Sequence, residues 1–237
     1  MSADRVARAW LLITERAGAA PVSLAHVCAA AVVGVRVDGA GLTMMTSPTV
    51  RAVVHVTDPV AARLEELQLT LGQGPCVDAF TGGPVLAADL QAGSCQVQWP
   101  AFAPAALDAG ARAVFALPLQ IGAIRLGVLD LYRRSPDGLT PAALGDALTF
   151  AETATALALD GADSRGPGRP AAMSGDQAVV HQAAGMISVQ LGVRVDVAFA
   201  RLRAHAFATD HRLGEVAQAV VDRRLRFHPD GPRRPAE

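Results

Sequence analysis

Few residues of this chain are spaced for covalent chemistry. Cys76 is the sharpest candidate, at the end of the turn Gly72-Gln73-Gly74-Pro75-Cys76. A thiol beside a helix start can have a lowered pKa, which would suit a redox sensor. The ordinary alternative is a buried, inert cysteine. Cys28 sits in an apolar helical run and is expected in the core, and Cys95 is expected in a loop. Three cysteines with no Cys-x-x-Cys pair predict neither a disulfide framework nor a zinc site. Asp89, Asp130 and the histidines follow no acid–base or metal-ligand spacing, and His26 and His55 stand isolated as structural histidines. Gly72-x-Gly74 continues into Pro75-Cys76, which is not the spacing that cradles a nucleotide phosphate. With no kinase, cyclase or phosphodiesterase motif, the expectation is no enzyme, no cofactor and no metal.

Composition shifts the question from catalysis to binding. Of 237 residues, 51% are hydrophobic and 18% charged, enough apolar material for a sizeable core. The net charge of −1 conceals an asymmetry. Residues 1–163 carry 10 Arg against 15 Asp and Glu, whereas residues 164–237 carry 11 Arg against 7. An acidic front and a basic rear point weakly to a polyanionic partner at the rear. All basic side chains are Arg, which can make the bidentate and stacking contacts that Lys cannot.

The elements that must position these residues fall into two sets. At roughly 150 residues per domain the length suits one or two domains. The stretch Asp160–Gly175, dominated by Gly, Pro, Ser and Ala, reads as the boundary. The division is then 1–160, a linker at 161–175, and 176–237. In the first part, residues 3–17 carry Val6, Trp10 and Ile13 as a helical stripe, and residues 22–34 form an apolar helix. Gly39–Met45 and Arg51–Thr57 read as strands. Asp58 and Pro59 are an N-cap and first-turn proline, opening a helix through Leu69. A Gly/Pro-rich stretch follows, then a short apolar run from Pro84 to Ala88 and a short helix from Pro100 to Asp108. Arg112–Ile121 and Ile124–Arg133 read as a strand pair turning near Gly122, and residues 141–159 as a closing helix. Helices bracketing an antiparallel sheet make an α+β layer.

The rear part shows three helical stripes. The first carries Val179, Ala183, Met186, Ile187 and Leu191; the second, capped by Asp196, carries Ala198, Leu202 and Ala206 with Phe199 beside them. The third carries Leu213, Val216, Ala217, Val220, Val221 and Leu225, closed by Arg223, Arg224 and Arg226. Three short amphipathic helices bury their stripes against one another, so this part is expected to be a small all-α domain. No stretch is long and apolar enough to span a bilayer, and no basic run precedes an apolar core at the N-terminus. The expected location is cytoplasmic.

Residues 180–221, VHQAAGMISVQLGVRVDVAFARLRAHAF followed by HRLGEVAQAVV, resemble the ANTAR family in three ordered segments. One departure is Ala184, where many members carry Lys. The front part resembles GAF sensor domains at Asp38–Leu42, at Leu67-Gln68-x-x-Leu71-Gly72-x-Gly74-Pro75-Cys76, at Trp99-Pro100 and at Leu126-Gly127-x-Leu129-Asp130-Leu131-Tyr132. The first resemblance implies an RNA-binding antitermination regulator that recognises tandem hairpins in nascent transcripts. On that basis Gln182, Arg201, Arg203, His205 and Arg212 are candidate RNA contacts, and Ala183 and Gly185 would let the RNA backbone approach. The alternative for Ala183 and Gly185 is helix packing. The second resemblance implies a sensor for an unidentified small molecule, with Cys76 as the candidate sensing or redox residue. Helices 3–17 and 141–159 are candidates for homodimerisation. Two other readings compete: a helix-turn-helix DNA-binding regulator, and a cysteine-based reductase on a GAF-type fold.

Overall fold

The computed structural model describes residues 3–48, 51–163, 175–209, 211–228 and 231–233. They form two compact units, residues 1–68 with 72–172 and residues 173–237 with 69–71. Most of the expected linker lies outside the described residues. Its edges are helical: the helix expected to end at 159 runs on to Asp163, and the next begins at Gly175. The alanine-rich sequence sustains the first helix past Gly161, a residue that costs a helix interior only about 1 kcal/mol.

In the first unit, α1 (Ala3–Ala17) and α2 (Leu24–Val35) lead into β1 (Gly39–Met45) and β2 (Arg51–Val56). Then come α3 (Pro59–Leu71), α4 (Pro75–Gly82), β3 (Val85–Ala87), α5 (Gly93–Gln98) and α6 (Phe102–Asp108). β4 (Ala113–Ile121), β5 (Ile124–Arg133) and α7 (Pro141–Asp163) complete the unit. The five strands form an antiparallel sheet in the order β2-β1-β5-β4-β3. The α+β expectation therefore holds. The Gly/Pro-rich stretch from Gly72 to Pro84 contains α4. Its glycines and prolines sit at the ends: Gly74 is the N-cap, Pro75 fills the first turn, and Gly83 ends the helix. Cys95, expected in a loop, lies on α5.

Strand alternation sorts the sheet's two faces. Ala40, Leu42, Phe115, Leu117, Leu129 and Leu131 join a core with residues of α1, α2 and α7. The apolar stripe of α1 is shifted by tertiary packing: Ala9, Ile13 and Ala17 are buried, whereas Trp10 is exposed. Met45, Ala116 and Val128 face the other way, packing with Cys76, Ala79 and Phe80 of α4. Asp130 follows the parity of Val128, so it too faces that second side. Asp58 caps α3 as expected, accepting from the backbone N–H groups of Val60 and Ala61 at 2.8 and 3.0 Å.

The second unit contains α8 (Gly175–Leu191), α9 (Val195–Ala208) and α10 (Leu213–Val221), followed by a hairpin of β6 (Arg226–His228) and β7 (Gly231–Arg233). Its core joins Val180, Ala183, Ala184 and Ile187 to Phe199, Leu202, Val216 and Val220, with Phe227 from the hairpin. Two sequence expectations fail here. Arg223, Arg224 and Arg226 do not close a helix: α10 ends at Val221, Arg223 takes a left-handed φ of 60°, and Arg226 is in β6. Arg194, not Asp196, is the N-cap residue of α9. Among the described residues no single helix is long and apolar enough to cross a membrane.

Candidate nucleic-acid interface and sensor core

The helical period decides which of the seven rear candidates can meet a partner. Successive helix residues are turned about 100°. On α8, Gln182 is exposed and Gly185 half-exposed, but Ala183 is completely buried. Ala183 therefore packs the domain core and presents no surface to RNA, which corrects the expectation for it. Ala184, standing where Lys was noted as common, is also in the core at 1% exposure. Gly185 is different. A methyl built on it would meet nothing within 4 Å, so packing inside this unit does not explain the missing side chain.

On α9, Leu202 points inward, placing Arg201 about 100° to one side and Arg203 about 100° to the other. The arginines thus stand on opposite flanks. On Arg203's flank, the guanidinium lies over the Phe199 ring, 5.3 Å from its centroid. His181 of α8 stacks on the same ring at 6.4 Å and 15°. One turn beyond Arg203 is Phe207, 65% exposed. Phe199 thus gathers Arg203 and His181, Phe207 is exposed on the flank of α9 that carries Arg203, and Gln182 and Gly185 reach solvent from α8. Phe207 was not singled out from the sequence. Its signal was available: an aromatic four residues past Arg203, off the buried row of Ala198, Leu202 and Ala206.

The other flank carries Arg201, which is exposed, and His205. His205 meets Phe227 edge-on at 5.6 Å. Burial, then the neighbouring His211, lowers its pKa. Arg212 is exposed at the start of α10, where its backbone N–H donates to the Glu215 carboxylate at 3.3 Å.

A second cluster lies in the first unit, on the sheet face covered by α3 and α4. Glu65 and Gln68 extend from α3, Cys76 from the first turn of α4, Asp130 from β5 and Arg51 from β2. All are at most 5% exposed. Thr43 donates to Glu65 Oε2 at 2.9 Å, and the Cys76 backbone N–H donates to Gln68 Oε1 at 2.7 Å. Arg51 donates to the Gln68 carbonyl. Asp130 lies within hydrogen-bonding reach of Glu65 and Cys76, and Arg51 of Cys76, but Glu65 Oε1, both Asp130 oxygens, Gln68 Nε2 and Arg51 Nε and Nη1 make no well-formed hydrogen bond. Gly41 makes room here: a methyl on it would lie 2.4 Å from Glu65 Oε1.

Electrostatics follows burial. Desolvation, then the charge of Glu65, pushes the Asp130 carboxyl well above its ordinary range, and desolvation likewise raises Glu65. The Cys76 thiol is pushed well above its usual value, first by burial and then by the two acids. Of the two sequence readings this favours the buried, inert cysteine over a thiol activated by a helix start: α4 is only eight residues long, and the two acids and dry surroundings outweigh its dipole. Cys28 is buried as expected, its thiol pushed up to about 12. Trp99 is also buried, donating to Asp78 at 2.9 Å and packing edge-on against Phe102. The histidines that looked isolated are neighbours: His26 accepts from the Ser23 N–H at 3.2 Å, and burial, then the nearby His26, lowers the pKa of His55.

Comparison with known proteins agrees with this two-part description. Residues 173–221 match the ANTAR domain family. The GAF domain of a phosphoenolpyruvate-protein phosphotransferase from Coxiella burnetii is similar in fold, with a TM-score of 0.50 and 16% identity over 70% of this chain and 98% of that one. The corresponding Acinetobacter GAF domain gives a TM-score of 0.50 and 13% identity, with the same coverage. At these identities the likeness is one of fold. No curated protein matches the chain.

Proposed function

Starting from a GAF-type fold followed by an ANTAR domain, we propose that this protein is a signal-responsive transcription antitermination regulator that binds hairpin RNA. The observation that carries the reading is the α8–α9 surface. Arg203 is braced on Phe199, Phe207 is exposed one turn further along α9, and Gly185 leaves bare backbone on α8. Unpaired loop bases stack on aromatic and guanidinium planes, while Arg meets phosphate. Gln182, Gly185 and Arg203 contact RNA in this reading; Arg201, His205 and Arg212 serve a second strand or the second hairpin. The front unit is the sensor, residues 1–160, and the RNA-binding domain begins near residue 176. Two subunits paired through α1 and α7 would present two RNA-binding domains to tandem hairpins. Support comes from exposed Trp10 and Leu11 on α1 and Leu148 and Leu159 on α7. The raised thiol pKa and burial of Cys76 weigh against a cysteine-based reductase, so the chain is read as a regulator rather than an enzyme.

The test is binding of the full-length protein to tandem-hairpin RNA against duplex DNA of matched length, at two salt concentrations. The reading expects preference for RNA, lowered tenfold or more by Arg203→Ala and by Phe207→Ala. Base stacking on an aromatic contributes about 1–3 kcal/mol, which is the scale of that loss. Preference for duplex DNA would instead support a helix-turn-helix regulator.

A further inference from the structure

The buried polar cluster of the sensor core has an unresolved hydrogen-bond balance. Protein interiors rarely leave polar atoms unpaired. Here three carboxylate oxygens, on Glu65 and Asp130, make no well-formed hydrogen bond in one place. Beside them is a cavity of about 10 Å³, lined by Gly41, Leu64, Glu65, Gln68, Asp130 and Tyr132 among others, with Cys76 outside its lining. That volume admits one water-sized or ion-sized occupant and no organic ligand.

We propose that this core binds a single divalent transition-metal ion through Glu65, Cys76 and Asp130. One ligand atom from each residue lies within 4.8 Å of the other two. Tetrahedral metal–oxygen and metal–sulfur bonds of about 2.0–2.3 Å hold ligand atoms roughly 3.3–3.7 Å apart, so closing the site draws these side chains together by about 1 Å at most. The charges also balance. Two carboxylates, a thiolate and the Arg51 guanidinium sum to −2, which a divalent ion neutralises. Without it, protons must do so. A metal-bound thiol loses its proton outright, so the inertness of the free Cys76 thiol does not oppose coordination. The thiolate selects borderline ions such as Zn²⁺, Fe²⁺ or Co²⁺ over Mg²⁺ and Ca²⁺. Three protein ligands leave a coordination position open, and the unpaired donors of Gln68 and Arg51 suit a water or small anion occupying it. The cluster escapes the usual sequence search because its ligands come from two helices and a strand, at positions 65, 76 and 130.

The experiment is titration of metal-free full-length protein with Co²⁺, whose thiolate complexes absorb in the near-ultraviolet, with Zn²⁺ as competitor and Mg²⁺ as control. The expected result is one Co²⁺ per chain with thiolate absorption, displaced by Zn²⁺ and not by Mg²⁺, and a higher Tm with metal. Cys76→Ser should abolish the thiolate band. Asp130→Asn should weaken binding tenfold or more. Folding of each variant is followed by circular dichroism. If the folded wild-type protein binds no Co²⁺ and its Tm does not respond, the cluster is a proton-sharing pair and the proposal falls. Binding without the thiolate band, or binding unchanged in both variants, overturns it equally by placing the ion elsewhere.

Discussion

Replacing Gly185 with alanine separates a packing role from a binding role, because the two predict opposite stabilities. Gly185 lies inside α8, ten residues from its start and six from its end. The added methyl meets nothing within 4 Å, so no clash offsets the gain in helix propensity. Glycine in a helix interior is destabilising by roughly 0.5–1 kcal/mol relative to alanine. Gly185→Ala should therefore stabilise the second unit by about that amount. At about 4–8 °C per kcal/mol for a domain of this size, the Tm of that unit rises by several degrees. RNA affinity should move the other way. If RNA backbone comes against α8 here, the methyl displaces it and affinity falls about tenfold, or ~1.4 kcal/mol. Thermal melting and filter binding on one preparation read both effects. A more stable protein with unchanged RNA affinity would refute an approach at this helix, and a less stable protein would refute the open-surface reading.

Three further outcomes follow from the packing and charges. Leu202, fully buried among the three helices, should cost about 2–5 kcal/mol as Leu202→Ala, seen as a lowered urea midpoint for the second unit while the sensor transition is unmoved. His55 and His205 both have pKa values held below the ordinary 6.5, first by burial and then by a neighbouring histidine. The unfolded chain therefore takes up protons before the folded one. Their contribution is complete above pH 6.5 and is lost as the pH falls through the lowered folded values, so the urea midpoint should drop between pH 7.5 and 5.5, less steeply in His55→Gln with His205→Gln. Trp10→Glu with Leu11→Glu should shift a homodimer to monomer in sedimentation, with the fold retained because both side chains are exposed.

The legible parts of the chain were those whose information is local. The β4–β5 pair follows from runs of apolar and β-favouring residues around the turn at Gly122, and the start of α3 follows from Asp58-Pro59. The stripe Leu213, Val216, Ala217 and Val220 places α10 because helical spacing requires one buried face. Less was visible where end signals crowd together. Gly72 to Pro84 shows only its punctuation in sequence, yet Gly74, Pro75 and Gly83 mark the edges of an intact helix.

Sequence by itself determined the two-part composition, the main elements and the resemblance of each part to a family. Only the tertiary structure decided which face of each element meets solvent and which distant residues meet each other. Ala183 and Gly185 look alike as small residues in one motif, but a 200° turn of the helix sends one into the core and leaves the other facing open space. Glu65, Cys76 and Asp130 follow no motif because nothing local relates them. They converge because the pleat turns Asp130 off the face of Leu129 and Leu131, and α3 and α4 cover the side it turns to. Periodicity is written between near neighbours, whereas a buried polar site depends on strand order and on how helices pack, quantities set by the whole core at once.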